Sequence, residues 1–166
     1  MEIKYYKAGI ACRSLASKDF GTSSGSKASV IEFKSEAGYE YSMLSTAAAS
    51  NIKTNLTIFI LSKMVASSDS EFNINDYSAQ DSIGTVISFV QAEGITGRTY
   101  RISVKNDSDE NITVKSFKGF KNLSASNNSG IIDISCLLFQ IKLDSPVTIA
   151  PGITKDFVID INFQNE

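Results

Sequence analysis

Histidine is absent from all 166 residues. That removes Ser-His-Asp triads, Cys-His dyads, His-containing zinc sites and imidazole pH switches in one step. What remains for catalysis is a pair of carboxylates flanking a bond, or a serine activated by lysine. Neither leaves a local sequence signature, and the acidic residues here fall mostly in turn-forming stretches and on polar strand faces, where a solvated surface is the simpler reading. GTSSGSK, residues 21–27, superficially resembles a phosphate-binding loop. It has three residues between its glycines rather than four, and Ser26 stands where that loop needs lysine directly after glycine. The chain is therefore read as a non-enzyme with no cofactor. Cys12 and Cys136 are too distant in sequence for a metal knuckle or redox pair and read as reduced thiols that pack as small apolar groups.

Two acidic stretches have oxygen ligands at spacings that could hold a cation. In DSDEN, Asp107, Asp109 and Asn111 alternate as at the start of a calcium loop. Ile112 stands where that loop needs glycine, however, and Lys118 stands where it needs a bidentate glutamate. These three are weak metal candidates, and a plain hairpin turn is the competing reading. SSDSEFNIND offers a looser set in Asp69, Glu71, Asn73 and Asp76. Tyrosines are the other candidate site-makers, because a phenol ring gives rigid contact area with a polar tip. Tyr5 and Tyr6, Tyr39 and Tyr41, and Tyr77 could anchor a partner or stack on a sugar, or could equally be core or rim residues.

Strands must position these side chains, since no long amphipathic helix is visible. RTYRISVKND places Tyr100, Ile102 and Val104 on one face and Arg101, Ser103 and Lys105 on the other, the period of a half-buried strand. NDSDEN supplies turn residues before NITVKSF resumes, which reads as a hairpin. In GIIDISCLLFQIKL, Ile132, Ile134, Cys136 and Leu138 share one phase and Phe139, Ile141 and Leu143 the other. Either both faces are covered or a bulge near Leu138 shifts the register, and the bulge is favoured. Pro151-Gly152 is a turn, after which Phe157, Ile159, Ile161 and Phe163 alternate inward. KASVIEFKSE, GYEYSML, NLTIFILSKMV and GTVISFVQAE read as further strands. Residues 21–29 and 66–82 read as loops, the second long enough to carry function or to hide a short strand around Phe72 to Ile74.

The formal net charge of −2 gives no concentrated positive surface for nucleic acid. No apolar run approaches the ~20 residues of a membrane span, and MEIKYYKAGIACRSLASKDF lacks a signal-peptide core. The expectation is a single domain over residues 1–166, made in a cytoplasm, with residues 1–20 as an N-terminal arm and no nucleic acid or membrane among its partners.

Many short strands separated by turn signals predict an all-β, antiparallel sandwich. The order YRISVKN, an Asn/Asp turn, NITV, and then PVTIAPGITKDFVIDI resembles the second half of immunoglobulin-like β-sandwich modules, of the kind found in auxiliary and decoration proteins of tailed bacteriophages. The resemblance covers residues 98–163, with additional N-terminal strands outside it. Antibody-type domains are not implied, since tryptophan is absent and the cysteines are misplaced. What the resemblance implies is a virion component, attached to capsid or tail and assembled with other virion proteins as an oligomer. The arm would pair with a neighbour's sheet edge, with Ile3, Tyr5 and Tyr6 as contacts. The alternative is a glycan- or receptor-binding adhesion module using the loops around Tyr39 and Tyr77.

Overall fold

The computed structural model describes residues 1–10, 29–45, 60–94, 97–127 and 130–162. Within them lie β1 (Glu2–Tyr5), β2 (Ser29–Lys34), β3 (Glu40–Ser45), β4 (Lys63–Ser67), β5 (Thr85–Glu93), β6 (Gly97–Lys105), β7 (Ile112–Asn127), β8 (Gly130–Ile149) and β9 (Thr154–Asn162). All pairings are antiparallel. A four-stranded sheet has the order β1-β8-β7-β4, a three-stranded sheet the order β5-β6-β9, and β2 and β3 form a hairpin. The chain is all-β, as the strand-and-turn pattern predicts. The apparent phosphate loop, Cys12, Phe163 and residues 11–20 of the arm fall outside the described residues.

The two larger sheets share one core. Tyr100, Ile102, Val104, Ile159 and Ile161 from the three-stranded sheet meet Val114, Phe117, Leu138, Phe139 and Ile141 from the four-stranded one. Phe117 meets Phe157 edge-on across the layers at a centroid distance of 4.9 Å. The alternations expected in β6 and β9 hold, because each strand has one face on this core and one in solvent.

The hairpin expected across residues 106–111 is not formed. β6 pairs with β5 and β9, whereas β7 pairs with β4 and β8, so NDSDEN carries the chain from one sheet to the other. Pro151-Gly152 makes a second crossing beside it, from β8 to β9, with Gly152 at φ 73°, where a side chain would be strained. Buried Asn106 ties the two crossings together. Its Nδ2 donates to Glu110 O at 2.7 Å and to Ile149 O at 2.9 Å, and its Oδ1 accepts from Ser108 N and Ser108 Oγ. Its backbone N–H donates to Ile153 O and its carbonyl accepts from Gly152 N. An asparagine that bonds carbonyls of both loops favours a crossing over a tight reversal, because it links the two loops and supplies a donor to the carbonyl of buried Ile149.

The bulge near Leu138 is present. Gly119 faces Phe139 and Phe120 faces Leu137, leaving Leu138 as the extra residue of β8. Ile134, Cys136 and Leu138 point into the inter-sheet core before it, and Phe139 and Ile141 after it. Both faces are also covered at this point, since Leu137 packs into a second apolar cluster with Tyr6 and Phe120 on the opposite side. Residues 68–82 produce that covering. They hold no strand around Phe72 to Ile74 but lie over the outer face of the four-stranded sheet, with Phe72 and Ala79 against the second cluster.

The start of the arm is a strand of this chain's own sheet. β1 adds to its own β8, with Ile3 opposite Ile141 and Tyr5 opposite Phe139. Tyr5 lies in the main core and Tyr6 in the second cluster, 8% and 1% exposed. Neither ring is available as the partner contact expected of it, because each contributes more apolar burial to its own domain than a rim contact could supply.

Candidate functional site

Polar side chains gather where the 68–82 loop meets the four-stranded sheet. Ser116 and Lys118 of β7 and Gln140 of β8 project outward, but the loop buries them. Ser116 Oγ donates to Asp69 O, and Gln140 Nε2 donates to Asp69 O at 3.2 Å and to Ser116 Oγ at 2.9 Å. The Tyr6 hydroxyl donates to Gln140 Oε1 at 3.3 Å. Lys118 Nζ reaches Asp81 Oδ1 at 2.7 Å, its side chain only 3% exposed. Burial, reinforced by Asp76, Asp81 and Asp69, pushes the Tyr6 phenol well above its ordinary range. This network holds the loop by hydrogen bonds to its backbone and by one ion pair. Sequence reasoning gives no role to Ser116, Lys118 or Gln140, since polar residues alternating with Phe117 and Gly119 carry no local sign of being covered. The available signal was the improbable length of a structureless loop, which has to lie on something.

The candidate cation ligands in that loop build its turns instead. Asp69 Oδ1 accepts from Glu71 N at 2.8 Å and Asn73 Oδ1 from Asn75 N at 3.1 Å, the side-chain-to-backbone bonds of Asx turns. In the 106–111 crossing, Asp107, Asp109 and Asn111 are all exposed. Asp107 pairs with Lys105 at 2.7 Å, and hydrogen bonds from Lys105 and Thr85 hold its carboxyl below the usual range. Among the described residues no three Asp, Glu or Cys side chains converge on a point where a metal could sit.

Tyr39 and Tyr77 are brought onto adjoining loops. The β2–β3 turn places Gly38 at φ 87°, and a Cβ there would lie 3.3 Å from the Tyr77 ring. Lys34 Nζ sits 5.2 Å from the centre of the same ring. Tyr39 is 67% exposed beside it. The turn is fixed to the four-stranded sheet through Glu36, whose N–H donates to Ser135 O at 2.7 Å and whose carboxylate accepts from Lys63 Nζ and Ser135 Oγ. The turn thus presents an exposed tyrosine on one loop and, on the adjoining one, a tyrosine ring covered by a lysine.

A concave surface also runs along β1. An open groove of about 560 Å³ is lined by Met1, Ile3, Ile10 and Phe72 together with the Glu2–Lys4 pair. Ile10 ends a single helical turn at residues 7–10 and is 45% exposed. Of the expected partner contacts at the arm, Ile3 alone stays partly accessible.

No family model, curated protein or solved structure matches this chain.

Proposed function

We propose that this chain is a non-enzymatic structural protein of a virus particle, an immunoglobulin-like module that adds to the capsid or tail of a bacteriophage by surface contact. The observation that carries this reading is the path of residues 98–162. The segment that resembles such modules runs β6, crossing, β7, β8, crossing, β9, alternating between two facing layers, with one buried asparagine joining the crossings. Inter-sheet crossings of this kind belong to Greek-key sandwiches, which host many unrelated functions, so the fold supports the reading only together with the sequence resemblance. The engagement of polar groups agrees with it, since Asp69, Asn73, Asp81 and Asn106 are all occupied in holding backbone or a neighbouring charge. Mass spectrometry of purified particles tests the proposal. The chain should appear in fixed ratio to the major capsid or tail subunit through successive density gradients, and its loss in the first gradient would reject the reading.

A second reading, a glycan- or receptor-binding module, is favoured by the exposed Tyr39 beside the Lys34-capped Tyr77. It requires saturable binding of the isolated protein on a glycan array, abolished by Tyr39→Ala.

A further inference from the structure

β1 ends the four-stranded sheet, and among the described residues no strand pairs with its outer edge. The phase of that edge follows from the pairing on the inner side. Tyr6 N–H donates to Leu138 O at 2.9 Å, so even-numbered residues of this segment direct backbone groups at β8 and their side chains to the outer face. The alternation then gives Ile3 the reverse arrangement, its side chain toward the core face and its N–H and C=O toward the open edge. Glu2 and Lys4 flank it on the outer face, linked to each other at 3.4 Å.

We propose that β1 pairs with β1 of a second copy of this chain, antiparallel and centred on Ile3, so that the two four-stranded sheets become one continuous sheet across a two-fold axis. Three observations select this occupant over an unrelated peptide. A strand centred on Ile3 and reversed onto itself sets Glu2 opposite Lys4 of the other copy, twice, making the charge pattern self-complementary. Ile3, midway between Glu2 and Lys4, turns its backbone groups outward, so the two copies of Ile3 exchange both hydrogen bonds at the axis. The groove along this edge exposes Met1 and Ile10, which a second copy would cover. β9, one edge strand of the three-stranded sheet, lacks this pattern: it presents Asp156 and Asp160, like charges that oppose edge pairing. A four-residue edge is a small interface, so the dimer is weak and concentration-dependent. The inference names one partner for the surface-contact role proposed above, and its failure would leave the particle test of that role untouched.

Sedimentation velocity of the full chain over a concentration series up to about 1 mM decides the matter, with three variants. The wild type should show a reversible monomer–dimer equilibrium. Ile3→Pro removes an N–H that faces the open edge and none that bonds β8, so it should fold and remain monomeric. Glu2→Lys places like charges opposite each other at two symmetric positions and should weaken the dimer about fivefold or more, with Glu2→Lys/Lys4→Glu restoring it. A wild-type chain that stays monomeric throughout overturns the proposal. So does a dimer indifferent to Ile3→Pro, and so does a dimer that the double reversal fails to restore. Should Ile3→Pro not fold, the charge reversals, which alter only exposed side chains, carry the test alone.

Discussion

On the three-stranded sheet, no segment among the described residues covers the face turned from the core. Arg101 of β6 lies between Val90 of β5 and Val158 of β9, all three exposed, and Ser103 and Thr99 donate to Asp156 and Asp160 beside them. On the four-stranded sheet, the equivalent face is roofed by residues 68–82. There Ser116, Lys118 and Gln140 are as buried as the leucines behind them. The two faces carry similar residue types and differ in what they require. In water, a serine or lysine needs no particular partner. Under a loop, each donor needs an acceptor in place, because an unpaired buried group costs about 1–3 kcal/mol and a charge more. The roof is therefore specified by the polar groups beneath it as much as by Phe72.

The sharpest way to break this contrast is Lys118→Ala. Removing one member of the buried pair leaves the Asp81 carboxylate without its cation, and the loss of stability on urea unfolding should be about 3 kcal/mol, with earlier proteolysis inside residues 68–82. Asn106→Ala comes next, at about 2–3 kcal/mol. It removes the side-chain bonds to Ile149 O, Glu110 O and Ser108 while leaving the backbone bonds to Ile153 and Gly152, and it should do so without exposing the 68–82 loop to protease. Alkaline titration separates the layers by pH. Burial holds the phenols of Tyr6 and Tyr100 above their ordinary value near 10. The stability gained by keeping them protonated is complete below that pH and is lost as pH rises from there toward the folded-state values. The phenols of Tyr6 and Tyr100 should therefore ionise only together with loss of the folded state, seen as tyrosinate absorbance that rises in step with unfolding. Ionisation of either phenol at its ordinary pH with the fold intact would contradict the burial described here. Arg101→Ala, the counterpart of the first change on the three-stranded sheet, should alter stability by no more than about 0.5 kcal/mol.

Legibility in the sequence followed the same division. The strands with one wet face, β6 and β9, could be read residue by residue, because solvent imposes a period of two. The Leu138 bulge was legible from the phase change between Cys136 and Phe139. The roles of Ser116, Lys118 and Gln140 were not, since nothing in KSFKGF distinguishes a lysine in water from one under a loop. The hairpin assigned to NDSDEN failed for a related reason: turn chemistry marks where a strand ends but not which sheet receives the next one. The tyrosines show both outcomes, with Tyr39 exposed as a surface contact requires, and Tyr5 and Tyr6 drawn into cores by the pairing of β1 with β8.

By itself the sequence determined the all-β class, the inward face of each half-wet strand and the absence of histidine chemistry, because side-chain type and period are local properties. Tertiary structure alone decided which sheet each strand joined, which polar residues were sealed in and which edge of β1 stayed open. Those depend on long-range pairing, where the burial of one residue is set by a segment dozens of positions away.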